Sequence, residues 1–385
     1  MVSVAAPVVR PADAAGVAEV LRDAGAAGQT VQIQGAGTKT HWGGSYSTVD
    51  VVLDTRRLSG VTSHEPGDLV ATVRGGTPMR DLQAVLGLAG QRLALEAGSA
   101  DATVGGVLAA GEAGPLRLRY GSGRDLLIGV EFVRADGVPA RSGGKVVKNV
   151  AGYDLGRLLC GSYGTVAVIT SATFRLHPIP AARTWVVCPL STIAELTGLV
   201  SSVQDPSIAP SAVEVSLPAG GAGAVVALLE GSRDGVAARA AALCAGVGDS
   251  GALDEAPSWW GRYPFEPGDV GLKLAAPVAG LPVAIETLRR HLGDAMTVRG
   301  SAGTGVVHVG SPATVAKADL AAALRGVRER LHGTGGTCVV LSAPPSTREG
   351  LDVWGPIGGL GLMRRIKDQF DPTGRFASGR FVGGI

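Results

Sequence analysis

Between Gly144 and Thr170 the sequence reads GKVVKNVAGYDLGRLLCGSYGTVAVIT, and no other stretch restricts the fold as much. A basic and apolar segment, Lys145 to Lys148, leads into Asn149, Gly152, Tyr153 and Asp154. A short helical piece follows from Leu155 to Cys160, then the turn Gly161-Ser162-Tyr163-Gly164, then a β-branched strand from Thr165 to Thr170. Glycines on both sides of a short helix permit positive φ and a close approach of backbone to a ligand. On spacing alone, two ordinary turns around a buried helix explain the same letters.

Two more glycine-rich blocks precede it. Gly35-Ala36-Gly37-Thr38-Lys39-Thr40-His41-Trp42-Gly43-Gly44 follows the strand predicted from Thr30 to Gln34. Successive N–H groups in such a turn form an anion-binding concavity, and Lys39 adds a counter-charge; a plain turn is the other reading. The second block, Ala97 to Gly111, is built of small residues, which leave a smooth wall for a flat ring or a diphosphate, or equally the start of a tightly packed helix. Arg124 and Asp125, which end the next segment, read as a structural pair rather than as catalytic groups.

The rest of the chain sorts by periodicity. A helix is predicted from Asp13 to Gly25, with strands over Val49–Asp54, Gly60–Ser63, Leu69–Arg74 and Ile128–Arg134. Thr77 as N-cap and Pro78 at the first helical position open a helix that continues to about Gly87. His177-Pro178-Ile179-Pro180 marks a boundary. Beyond it the pattern is approximately β-α-β-β-α-β twice, which predicts an antiparallel sheet with helices on one face. A closing helix, Leu362 to Phe370, runs into the turn Asp371-Pro372-Thr373-Gly374. The fold class is therefore α+β, with domains over 1–179 and 180–350 and a segment, 351–385, that returns to the first.

Bulk properties exclude several functions. At 385 residues there is room for two cores, while a net charge of +2 with 18% charged residues argues against a nucleic-acid or acidic-lipid surface. The four cysteines stand far apart without a C-x-x-C, so neither a disulfide framework nor an iron–sulfur cluster held by this chain is expected. The start of the chain does not resemble a secretory signal and no apolar run is long enough to span a bilayer, so a cytoplasmic protein is expected, with membrane association only through partners. Gly246-Val247-Gly248-Asp249-Ser250-Gly251 contains a G-x-G-x-x-G, but a helix precedes it where a dinucleotide fingerprint needs a strand. The Gly-Asp-Ser-Gly inside it lacks the partners of a serine-protease triad. The six histidines form no local metal motif.

K-N-V-A-G-Y-D followed by G-S-Y-G-T-V-A-V-I-T resembles the signature of the FAD-linked oxidases of the vanillyl-alcohol oxidase / p-cresol methylhydroxylase superfamily, and within it the FAD-binding subunits of bacterial glycolate oxidases. The blocks at 35–44 and 97–111 are similar to that family's pyrophosphate loop and flavin-lining segment. Arg365 to Arg380 is similar to its closing R-x-K-x-x-x-D-P-x-G-x-F-N-P-G-R, with Ala377-Ser378 in place of Asn-Pro.

The resemblance implies a two-subdomain PCMH-type FAD-binding domain followed by a cap domain with an antiparallel sheet covered by helices. It assigns FAD contacts to Gly35, Ala36, Gly37, Thr38, Lys39, Gly98, Ser99, Thr103, Gly105, Gly106, Ala109, Asn149, Gly152, Tyr153, Gly164, Val168 and Ile169. Thr38 stands where many relatives attach FAD through a histidine, and His41 comes three residues too late, so non-covalent FAD is implied and His41 is a loop residue. The implied activity is oxidation of a small 2-hydroxy acid, glycolate to glyoxylate. The implied partners are a second FAD subunit and an iron–sulfur subunit that takes the electrons. Tyr153, Lys148 and Arg380 are the polar candidates near the flavin motifs for a catalytic part; no metal is implied.

Gly303-Thr304-Gly305-Val306-Val307-His308 is faintly similar to the Gly-Asp-Gly-Asn-x-His strand of D-2-hydroxyacid dehydrogenases, but lacks the Asp and Asn, and His308 reads as part of an ordinary sheet strand. That loss keeps a rival open: an FAD electron relay or structural subunit. A stand-alone oxidase of an alcohol or sugar lactone, and a flavin-free binding module, are the others.

Overall fold

The computed structural model describes residues 6–44, 49–145 and 154–385. Lys148, Asn149, Gly152 and Tyr153 lie outside the described residues. The chain forms two compact units, one of Met1–Ala113, Gly121–Ile179 and Ile357–Ile385, the other of Gly114–Tyr120 and Pro180–Pro356. Gly114–Tyr120, which sequence reading keeps in the first domain, belongs to the second: Leu118 packs on that unit's core and Tyr120 Oη donates to Glu230 at 3.4 Å.

The first unit contains two main sheets. One is parallel, in the order Val8–Val9, Val51–Asp54, Val31–Gln34. Helix Ala14–Ala26 starts where the Asp13 carboxylate accepts from Gly16 N at 2.8 Å, and it buries Val17, Leu21 and Ala24, one stripe at helical spacing, in a cluster with Val31 and Leu53. The other is antiparallel, in the order Val61–Glu65, Val70–Arg74, Ala167–Arg175, Leu127–Arg134, Pro139–Gly143. Ala167–Arg175 lies at its centre and is buried at every residue but the last, which is why it reads as an unbroken apolar and β-branched run.

Some local expectations change. The strand predicted from Thr165 begins at Ala167, because the Thr165 hydroxyl is turned back to Ser162 O at 2.8 Å. Thr77 does not cap helix Met79–Gly87; Pro78 holds the cap position. The Thr77 hydroxyl instead donates to Arg74 O at 2.7 Å and accepts from Gly60 N at 2.9 Å, tying two strand ends. Asp125 accepts from the Ser122 amide and hydroxyl, at 2.8 and 2.9 Å, as the acidic end of a capping box, and Arg124 acts on it through charge as a weaker partner. His177–Pro178 pairs with Gln91–Arg92, so regular structure continues past His177 before the second unit begins.

The tail is bolted down by a buried ion pair. Lys367 Nζ, on helix Leu360–Phe370, donates to Asp371 Oδ2 at 2.7 Å, Thr165 O at 2.8 Å and Phe376 O at 3.3 Å. Asp371 also accepts from the Arg375 and Phe376 amides, at 2.9 and 2.8 Å. The chain so turned bridges Phe376 to Val31 and sinks Phe376 among Val31 and Leu53.

The second unit has one eight-stranded sheet with antiparallel pairings, in the order Gly251–Leu253, Ala182–Leu190, Gly223–Gly231, Ala212–Leu217, Thr297–Ser301, Val306–Ser311, Val270–Ala275, Thr337–Ser342. Helices Leu196–Val203, Arg233–Gly246, Leu281–Leu292 and Lys317–Leu331 share a core with alternate strand residues, among them Val213, Val215, Leu272, Leu274, Val307 and Val309. The G-x-G-x-x-G run joins helix Arg233–Gly246 to the edge strand, the reverse of the order a dinucleotide fingerprint requires. Among the described residues no helix is long and apolar enough to cross a membrane, and no group of three or more His, Cys, Asp or Glu is placed to hold a metal ion.

Lys367→Met leaves Asp371 buried without its cation, and the expected loss is about 3–5 kcal/mol of stability. A urea titration followed by far-UV circular dichroism measures it; an unchanged midpoint would show that the pair does not hold the tail.

Candidate functional site

Strand Val31–Gln34 passes straight into Gly35-Ala36-Gly37-Thr38-Lys39, helix Val104–Ala110 presents Gly105, Gly106 and Ala109, and Tyr163 and Gly164 come from the turn before the central strand. Together they line a cleft in the first unit with about 690 Å³ of atom-free space, part of it open to solvent. Two glycines show why the sequence must be bare here. A Cβ on Gly35 would collide with the side chain of Thr103, whose hydroxyl caps the next helix by accepting from Gly106 N at 3.3 Å. Gly37 turns the loop at φ +75°, which side-chain-bearing residues rarely adopt.

Polar groups fix the irregular backbone. Arg380, 8% exposed, donates to Lys39 O at 2.7 Å, Tyr163 O at 3.2 Å and Trp42 O at 3.3 Å, while its own carbonyl accepts from Gly44 N at 2.7 Å. Lys39 Nζ pairs with Glu112 Oε2 at 2.6 Å, and Glu112 Oε1 accepts from Gly98 N at 2.7 Å, so one carboxylate ties the two glycine-rich blocks together. Tyr163 sits at φ +56°, left-handed without being glycine, held by its amide on Ala109 O at 2.8 Å and by its ring 5.7 Å from that of Phe381. Burial pushes its phenol up to about 12.

Of the residues assigned from sequence, Gly35 to Lys39, Thr103, Gly105, Gly106, Ala109, Gly164 and Ile169 line this cleft. Val168 does not. Strand alternation turns it away from Ala167 and Ile169 into the core with Val17 and Leu53. Gly98 and Ser99 stand behind the lining: the amide of Gly98 serves Glu112, and Ser99 Oγ accepts from Asp101 N at 3.3 Å. Arg380, a catalytic candidate in sequence, directs its donors at carbonyls, a positioning part. Sequence reading missed Glu112 and Tyr163. The signal for the first was a lone acid directly after the small-residue run Ala109-Ala110-Gly111.

The second unit holds a different constellation. Lys273 pairs in register with His308, and His308 with Arg299, so three basic residues cross three neighbouring strands. The His308 ring meets that of Tyr263 edge-on, with centroids 4.7 Å apart. Burial first, then Lys273 and Arg117, hold His308 well below the usual histidine range. Burial, then Arg117, lowers the Lys273 amine to about 8. Among the described residues Lys273 has no hydrogen-bond or ion-pair partner.

Residues 5–142 match a family model described as an FAD binding domain. Over 152 residues, 39% of this chain and 43% of the relative, the sequence is 41% identical to glycolate oxidase subunit GlcE of Escherichia coli. It is 33% identical over 196 residues, 51% of this chain and 44% of the relative, to D-lactate dehydrogenase of Archaeoglobus fulgidus. The chain thus aligns with less than half the length of these relatives. A solved alkyldihydroxyacetonephosphate synthase superposes over 96% of this chain and 75% of its own, with a TM-score of 0.68 at 17% identity, which shows a shared fold.

The cleft fits FAD. Its glycines leave the space a side chain would fill, and Lys39 and Arg380 are the cations among its lining residues. Arg380→Lys cannot span three carbonyls with one ammonium; FAD affinity should drop about tenfold and the unfolding temperature should fall with it. Flavin fluorescence titration reads the affinity, and unchanged values would remove Arg380 from the site's framework. Family match, shared fold and cleft agree: residues 5–142 carry an FAD binding domain, and the chain is similar to glycolate oxidase subunits and D-lactate dehydrogenases.

Proposed function

We propose that this chain is an FAD-carrying subunit that oxidises a small 2-hydroxy acid, glycolate to glyoxylate, in a complex with a second FAD subunit and an iron–sulfur subunit that takes the electrons. Bound FAD supplies the two-electron acceptor, and the hydroxyl proton leaves separately as the carbonyl forms. Gly35 to Lys39, Gly105, Gly106 and Gly164 shape the cofactor's bed, and Arg380 keeps the first of these loops in place. FAD is held without a covalent bond, since Thr38 offers no anchor.

The observation that supports an acid as substrate is the basic row. Lys273 is half-buried and, among the described residues, faces cations rather than a carboxylate, so an anionic ligand would relieve the repulsion between them. Lys273 and Arg117 then bind the carboxylate, and the neutral His308 beside them can accept a hydrogen bond. The missing Asp and Asn before His308 favour a second reading, in which this chain relays electrons through FAD and a sister flavoprotein oxidises the acid. Reconstituted with FAD and mixed anaerobically with glycolate or D-lactate, the catalytic chain loses its flavin absorbance. A relay stays oxidised until dithionite is added.

A stability measurement tests the row without catalysis. The Lys273 amine titrates near 8 in the folded chain against 10.5 for an ordinary lysine, so between those values the unfolded chain holds more protons and stability climbs with pH. Lys273→Met should therefore unfold at a higher temperature than the unmodified chain at neutral pH. The gap should close as pH rises from about 8 past 10.5. Glycolate should protect the unmodified chain alone; equal protection of both, or no gap at neutral pH, would rule out a buried, ligand-seeking lysine.

A further inference from the structure

The cofactor cleft contains an anion of its own. Lys39 lines the cleft, yet its ammonium lies 2.6 Å from Glu112, and the two side chains are 9% and 1% exposed. Lys39 also reaches Thr38 Oγ1 at 3.3 Å and stands 5.6 Å from the centre of the Trp42 ring. A diphosphate entering beside Gly35 to Lys39 thus meets a cation that a carboxylate already neutralises.

We propose that Glu112 is a resident counter-anion that competes with the dinucleotide's diphosphate for Lys39, and that this competition sets how tightly the cleft holds FAD. Without Glu112 the cofactor-free chain would bury an unpaired ammonium, which is strongly destabilising. With it, the bound state must keep a carboxylate and a diphosphate on one lysine, and like charges at such range oppose each other. The carboxylate therefore stabilises the empty cleft and weakens the filled one, which keeps the cofactor exchangeable. Its second oxygen, on Gly98 N, fixes the carboxylate in this place and prevents it from swinging out to water.

The inference rests on FAD as the ligand, and the test separates the two. The 385-residue chain and its Glu112→Gln, Lys39→Gln and doubly substituted variants are titrated with FAD by flavin fluorescence and by thermal unfolding, at low and high salt. No uptake by the unmodified chain overturns the cofactor assignment and this inference with it. Given uptake, Glu112→Gln should unfold at a lower temperature when empty and gain more from FAD, binding it about tenfold tighter at low salt and less so at high salt. Lys39→Gln leaves Glu112 charged toward the diphosphate and should bind about a hundredfold more weakly. Adding Glu112→Gln to it should restore most of that loss. Glutamine at 112 binding FAD no better than the unmodified chain, or a double variant no better than Lys39→Gln, overturns the proposal. Should Glu112→Gln alone fail to fold, the comparison of Lys39→Gln with the double variant decides.

Discussion

The carbonyls of Lys39, Trp42 and Tyr163 converge on the guanidinium of Arg380, and the cleft of the first unit depends on that convergence. A glycine-rich loop that neither pairs in a sheet nor winds into a helix leaves its carbonyls without partners, and buried carbonyls must find donors. One planar fork spreads five N–H groups over three nitrogens and so reaches carbonyls set apart, where an ammonium gathers its three donors on a single atom. The contact joins residues 341 apart, so it forms only after the tail has returned. Lys367 and Asp371 bring the tail back, and the Phe376 bridge to Val31 seats it beside the parallel sheet. The end of the chain is thereby a wall of a site whose recognisable motifs lie at its beginning.

Two residues in this assembly hold left-handed backbone without being glycine: Tyr163 at φ +56° and Ala377 at φ +38°. Each costs about 1–2 kcal/mol relative to an ordinary conformation. For Tyr163 the strain has a visible return, since the turn aims its carbonyl at Arg380 and puts its ring on the cleft wall. Ala377 stands where the closing motif of similar sequences has asparagine, and asparagine tolerates this region better than alanine does. The tail keeps its shape here because Asp371, Lys367 and the Phe376 core contact over-determine it, not because residue 377 prefers it.

What could be read from the letters was whatever periodicity and glycine spacing encode. The alternation in the second unit marked its sheet and helices, and the β-branched letters from Thr165 to Thr170 announced a strand that the structure extends from Ala167 to Arg175. Resemblance placed Gly35 to Lys39, Gly105 and Gly106 at one site. It assigned Val168 and Ile169 together, although neighbours on a strand face opposite ways and only one of them can reach a cleft. Glu112 escaped because its importance is tertiary: nothing beside it in sequence says that Lys39 and Gly98 will converge on it. Thr77 was misread for a related reason. A threonine before proline suggests a cap, but two strand ends competed for the same hydroxyl and won.

The chain treats three of its inward-lying lysines in two ways, and the contrast is informative. Lys39 and Lys367 each face a carboxylate held by backbone amides, so their charges are settled within the fold. Lys273 is only half-buried, and among the described residues it has an imidazole in register and the cation Arg117 beside it rather than an acid. Among the described residues no carboxylate faces Lys273, and this contrast with the other two is what the proposal of an acid ligand rests on.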